Sequence, residues 1–158
     1  MKLFHGSYLT VEKPDISFSR INVDFGKGFY TTPMWEQAAS WAGRYKHKYG
    51  QSIVSSYEID MDALRGYAIV LDFDKYTDEW LDFIIACRRG EPSGDYDIVI
   101  GGVANDRVFD TIQLFLDGLI DKSESIKRLR YDKPNMQYCF RSQIVIDEHL
   151  KYVSSEAL

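Results

Sequence analysis

Between Asp24 and Pro33 the chain reads Asp-Phe-Gly-Lys-Gly-Phe-Tyr-Thr-Thr-Pro, and few local paths accommodate that order. The stretch predicts a tight turn, a short strand and a helix start in direct succession, with Thr32 as N-cap and Pro33 at the first helical position. Phe29 and Tyr30 alternate along the strand, so one ring faces the core and the other is left for a cleft. Two readings stand side by side. Gly26 and Gly28 bring backbone N–H groups up to a ligand where a Cβ would block them, or they only shape a hairpin that enters a buried strand.

The apolar pair Leu3-Phe4 runs into His5-Gly6-Ser7, a histidine at a strand end. From Tyr8 to Val23 the chain is polar and irregular, a long loop of the kind that often carries function. Trp35, Ala38, Ala39, Ala42 and Tyr45 recur at helical spacing until Gly50, which predicts one helix from Pro33. Ser52 to Asp60 alternates, with Ile53, Ser55, Tyr57 and Ile59 on one face, and Ala68 to Leu71 is a second strand-like run. Asp78 to Arg89 has the helical stripe Trp80, Leu81, Phe83, Ile84 and Cys87, and its dibasic end suits the helix dipole. A phosphate contact from one of those arginines is the functional alternative. Tyr96 to Ile100 is apolar enough for a central strand. Asn105-Asp106 can cap the helix Arg107 to Leu116, and Lys122 to Tyr131 displays the basic cluster Lys127, Arg128 and Arg130. Gln137 to Phe140 reads as a strand, and Ser142 to Tyr152 as a closing helix. Short strands interleaved irregularly with helices predict an α+β domain.

A chain of 158 residues, 45% hydrophobic and 27% charged, is long enough to bury one core, which is read as a single domain over 1–153 with a frayed tail over 154–158. A net charge of -5 and a pI near 5.2 argue against broad attraction to nucleic acid, though a local basic patch leaves a polyanion partner open. Cys87 and Cys139 lie in apolar runs without ligand spacing and read as buried free thiols of a reducing cytosol. With no secretory run and no window of membrane-span length, the expected location is cytoplasmic, with no membrane partner. His5, His47 and His149 are scattered without metal-ligand spacing, so no metal is expected. Neither cysteine nor any serine has a motif that places a base beside it, which argues against nucleophilic hydrolysis.

Taken in order, several segments resemble one bacterial family. They are Phe4-His5-Gly6-Ser7, Gly26-Lys27-Gly28-Phe29-Tyr30-Thr31-Thr32, a helix with Ala38 and Trp41-Ala42, Tyr96 to Gly101 leading into Val103-Ala104-Asn105-Asp106, and Gln137-Tyr138-Cys139-Phe140. The family is DUF3990, grouped with the ADP-ribosyltransferase superfamily, and the resemblance runs from about residue 3 to about residue 150. It implies two packed, mostly antiparallel sheets flanked by helices. It also implies NAD as substrate, release of nicotinamide through an oxocarbenium-like transition state, and transfer of ADP-ribose to a macromolecular acceptor, protein or nucleic acid. The family's company suggests a toxin or defence effector with an antitoxin partner.

The resemblance assigns roles residue by residue. His5 would bond a ribose hydroxyl, the Gly6 backbone would clamp the nicotinamide amide beside Ser7, and Tyr30 would stack on the nicotinamide ring. Gly26, Gly28 and Thr31, with the following helix N-terminus, would lie near the dinucleotide. The position usually held by an acid matches Gln137, which can bond a ribose hydroxyl but supplies neither a base nor a negative charge. Gln143 is the fallback for that position, and Asp106, with Asn105 beside it, is another source of a carboxylate. Two alternatives follow: a catalytically silent NAD or ADP-ribose binding module, and an interaction protein whose glycines and aromatics are structural.

Overall fold

The first of two sheets draws on both ends of the chain. In the computed structural model, which describes residues 1–104, 106–130 and 135–158 and only the backbone of Asp106, β1 (Lys2–Ser7) pairs antiparallel with β3 (Ile53–Glu58), and β3 pairs antiparallel with β7 (Lys151–Ala157). The second sheet has the order β2 (Phe29–Thr31), β6 (Met136–Phe140), β5 (Ile98–Gly102) and β4 (Val70–Asp72). All its pairs are antiparallel except β4 with β5. The fold is thus α+β with two mostly antiparallel sheets.

Among the described residues, one pair bonds the two sheets backbone to backbone. Phe4 and Thr32 exchange both backbone hydrogen bonds, Phe4 N to Thr32 O at 2.8 Å and Thr32 N to Phe4 O at 2.9 Å. Thr32 continues β2, whose last pair with β6 is Thr31 with Tyr138, and Gln137 pairs with Gly101 on β5. Phe4, Thr32, Gln137 and Gly101 therefore form one row across both sheets, and directly paired residues point to the same face.

Strand alternation sorts the apolar residues onto two sides. Leu3 and Tyr57 of the first sheet meet Phe29, Ile98, Ile100 and Phe140 of the second, with Val145 and Ile146 of α6 (Gln143–His149) closing the layer between them. On the other face of the second sheet, Val99 and Cys139 pack against α3 (Asp78–Arg88), α4 (Asp106–Leu116) and α5 (Lys122–Leu129) through Trp80, Leu81, Ile84, Val108, Ile112 and Leu129. Helix α1 (Trp35–Gly43) covers the outer face of the first sheet with Ala38 and Ala42 against Val54.

Three elements differ from the sequence reading. The first helix begins at Trp35 with Met34 as its cap, because Thr32 is already committed to the sheet; its hydroxyl donates to Met136 O at 3.0 Å and accepts from Met34 N at 3.1 Å. That helix also breaks after Gly43, and a separate turn, α2 (Lys46–Tyr49), ends at Gly50 with φ +72°. The expected closing helix stops at His149, and residues 154–157 form part of a strand where a frayed tail was expected. Ser154, Ser155 and Glu156 pair with Ser56, Ser55 and Val54, and the Ser55 and Ser155 hydroxyls lie 2.9 Å apart. Backbone pairing to β3 holds this largely exposed strand, and pairing of that kind leaves no hydrophobic signature.

Candidate functional site

Beyond the Phe4–Thr32 pair, β1 and β2 separate. Continuing their antiparallel register would set Gly6 opposite Tyr30 as the next bonded pair. His5 prevents this: its ring turns across the gap and Nδ1 donates to the Tyr30 carbonyl at 2.7 Å, the acceptor that the Gly6 N–H would have used. Alternation turns the N–H and C=O of Gly6 away from β3, and the N–H of Tyr30 away from β6, so all three face the split.

The carbonyl partner fixes the His5 tautomer, since only a protonated Nδ1 can donate to it, and Nε2 of the neutral ring is left as an acceptor. Burial lowers the pKa of His5 from 6.5, against the opposing effect of the Tyr30 carbonyl, so the neutral ring is favoured. The ring lies against Phe29, tilted at 34° with centroids 4.5 Å apart, on the side between the sheets. Phe29 is the aromatic that fills the core, as the alternation predicts, and Tyr30 lies on the opposite face, half-buried.

The Tyr30 hydroxyl is not free. It donates to Gly26 O at 2.6 Å and accepts from Phe25 N at 3.0 Å, closing the turn back onto the strand, and burial raises its pKa. The turn's amides are also taken: Gly26 N donates to Val23 O at 3.0 Å, and Gly28 N to the Ser19 hydroxyl at 3.0 Å. Both N–H groups are thus bonded within the fold, which favours the hairpin reading of Gly26 and Gly28. Gly26 has φ +72°, and a Cβ on Gly28 would sit 2.5 Å from the Cys139 sulfur, so both glycines answer to the fold. Thr31 is fully buried and donates to Tyr138 O at 3.3 Å, so it too is structural. Ser7 ends β1, and its hydroxyl accepts from Leu9 N at 3.4 Å.

Gln137 shares the face of Phe4, Thr32 and Tyr30 and is 3% exposed. Its Nε2 donates to Asp24 Oδ2 at 3.3 Å. Asp24 Oδ1 accepts from Arg88 Nε at 3.2 Å and Nη2 at 2.6 Å, and the Arg88 guanidinium lies 4.9 Å from the Phe109 ring centre. Arg88 is therefore the partner of a carboxylate, which argues against the phosphate role considered for it. Gln143 is excluded as a stand-in for Gln137. Its amide holds the long loop onto α6, accepting from Ile16 N and donating to Pro14 O and to Asp147.

Asn105 and the Asp106 side chain lie outside the described residues. Of the basic cluster on α5, Arg128 is bonded to Glu124 at 2.9 Å, the ordinary arrangement of a solvated helix face. Cys87 and Cys139 are free and buried; burial pushes the Cys139 thiol up to about 12, far from a reactive thiolate. Among the described residues, no three His, Cys, Asp or Glu side chains gather as a metal site requires, and no helix is long and apolar enough to cross a membrane.

The family described as protein of unknown function (DUF3990) matches residues 1–152. This chain belongs to the DUF3990 family. No curated protein and no solved structure matches it. In this DUF3990 protein, sequence reasoning missed two things: the split that His5 makes, and the linkage of Asp24 with Arg88 and Gln137. In the sequence, Asp24 is only the first residue of the glycine-rich stretch. Its partners lie 64 and 113 residues away, so nothing local marks it.

Proposed function

We propose that this DUF3990 protein is an NAD-dependent mono-ADP-ribosyltransferase with an ADP-ribosyltransferase-like fold, acting on a macromolecular acceptor. One observation carries the reading: the split between β1 and β2, where the N–H and C=O of the buried Gly6 find no partner among the described residues, beside a neutral His5 whose Nε2 is left as an acceptor. A primary carboxamide presents one donor face and one acceptor face. It can therefore complete the Gly6 backbone as another strand would, which suits the carboxamide of nicotinamide.

The remaining roles follow from the chemistry. The bond between C1′ of the ribose and the nicotinamide nitrogen breaks, its electron pair leaves with nicotinamide, and positive charge develops on the sugar. An acceptor nucleophile then forms the new bond to C1′ and releases its proton. His5 Nε2 accepts from a ribose hydroxyl and holds the sugar, while the split holds the leaving group, so the protein's work is orientation. The half-buried Tyr30 ring, with its hydroxyl fixed in the turn, offers a rigid surface for the cationic pyridinium. Gln137 accepts a hydroxyl without supplying charge, so no protein base is assigned. The two packed, mostly antiparallel sheets are consistent with the superfamily's architecture, and a toxin or defence role remains part of the proposal by family association alone.

A second reading, a module that binds NAD or ADP-ribose without turnover, is favoured by the uncharged, buried Gln137. Nicotinamide release from NAD, measured with and without cell extract, separates the two. The comparison is His5→Asn, which keeps a donor for the Tyr30 carbonyl and removes the Nε2 acceptor. Release that rises with extract and falls in His5→Asn supports transfer, and release that does not depend on extract indicates hydrolysis of NAD. Saturable binding without release favours the silent module; no binding rejects the NAD reading.

A further inference from the structure

We propose that Asp24 pins the side-chain amide of Gln137 so that its carbonyl oxygen, and not its NH2 group, is turned to the bound ligand; Asp24 is thereby a positioning residue, and its role at the ligand rests on the site reading above. A carboxylate has no donor, so the group of Gln137 that faces Asp24 at 3.3 Å must be the NH2 end. The pinning group is itself held. Arg88 reaches Asp24 Oδ1 through Nε and Nη2, and Ala104 N approaches Oδ2 at 3.4 Å. Both charged side chains are less than one-fifth exposed, 17% for Asp24 and 19% for Arg88, so water competes little for these bonds.

The opposite end of the amide is free to act. Gln137 Oε1 takes no hydrogen bond from the described residues, in a side chain that is 3% exposed. A ribose hydroxyl arriving there meets an acceptor only, as it would at a carboxylate. An unpinned amide would present either end, and with its NH2 group forward it would donate to the hydroxyl and leave the hydroxyl proton without this acceptor. The Asp24–Arg88 pair thus makes a neutral residue behave as the acceptor half of an acid without adding net charge to the site.

Four proteins test this: the parent, Asp24→Asn, Gln137→Glu, and the double exchange D24N/Q137E. Each is measured for thermal stability and for NAD affinity across pH 5 to 8. Asp24→Asn frees the amide, and NAD binding is expected to weaken about tenfold, the loss of one oriented hydrogen bond. Gln137→Glu sets two carboxylates in contact, so its stability and affinity should improve as pH falls and the pair gains a proton. The double exchange restores one amide and one carboxylate; both properties should return toward the parent, and the added pH dependence should vanish. Additive stability losses in the double exchange would show that the two groups do not touch and would overturn the proposal. Coupled stabilities with parent-like NAD affinity in Asp24→Asn would reduce Asp24 to a packing role and overturn it equally. If the parent binds no NAD while the stabilities remain coupled, the dinucleotide reading fails and the pinned orientation stands.

Discussion

Two glycine-bearing segments read alike in the sequence, His5-Gly6-Ser7 and Gly26-Lys27-Gly28, and the fold uses them in opposite ways. Both are required by packing: a Cβ on Gly6 would lie 2.0 Å from the carbonyl oxygen of Ala38, and one on Gly28 would lie 2.5 Å from the sulfur of Cys139. They differ in the backbone. At Gly26 and Gly28 the N–H groups are bonded to Val23 and Ser19, whereas the groups of Gly6 face the split that His5 makes. A glycine in a sequence says that a Cβ does not fit. Where the neighbouring N–H and C=O go decides whether the place is a site.

The largest effect is expected from Gly6→Ala. Its new methyl would overlap a helix carbonyl and Ala42 N, both backbone atoms that cannot swing aside, so a loss of about 3 kcal/mol or more is expected in urea unfolding. Little change would contradict the close seating of α1 on β1. Arg88→Leu should come next. It leaves Asp24 without its cation, and about 2 kcal/mol is expected, below the value for a fully buried pair because both partners keep some exposure.

Tyr30→Phe probes the other segment. Removing the hydroxyl leaves Gly26 O and Phe25 N without their partner, and a loss of about 1–2 kcal/mol should appear, with faster amide exchange across Phe25 to Gly28. The smallest effect is a pH dependence. His5 is held with a pKa below its unfolded value of 6.5, so the folded state binds fewer protons; its contribution is complete above about pH 6.5 and is lost as pH falls through the lowered folded value. Unfolding midpoints of parent and His5→Asn at pH 7.5 and 5 should show a smaller acid drop in the variant.

What the sequence made legible is what local periodicity encodes. The stripe Trp80, Leu81, Ile84 and Cys87 placed α3 within a residue of its observed end, and the apolar run to Ile100 became the buried strand β5. Ala38 and Ala42 are the buried stripe of α1 as read, yet the break after Gly43 carries no proline or glycine pair that would set it apart from the tolerated glycines of other helices. Strand β7 was hidden because Ser154, Ser155 and Glu156 are held by β3 through backbone pairing. The same holds for the site. His5, Gly6 and Tyr30 could be named as candidates, but the split depends on where one ladder stops. Asp24 acquires meaning only from α3 and β6, which arrive from distant parts of the chain.

Whether the split binds the carboxamide can be read from a titration of the isotope-labelled protein with nicotinamide and then with NAD, following the backbone amides of Gly6, Gly26 and Gly28. A saturable shift is expected at Gly6, shared by both ligands because the carboxamide is common to them, with Gly26 and Gly28 unmoved. Shifts confined to Gly26 and Gly28, or none at Gly6 at saturating NAD, would contradict the claim that the split between β1 and β2 is the binding site.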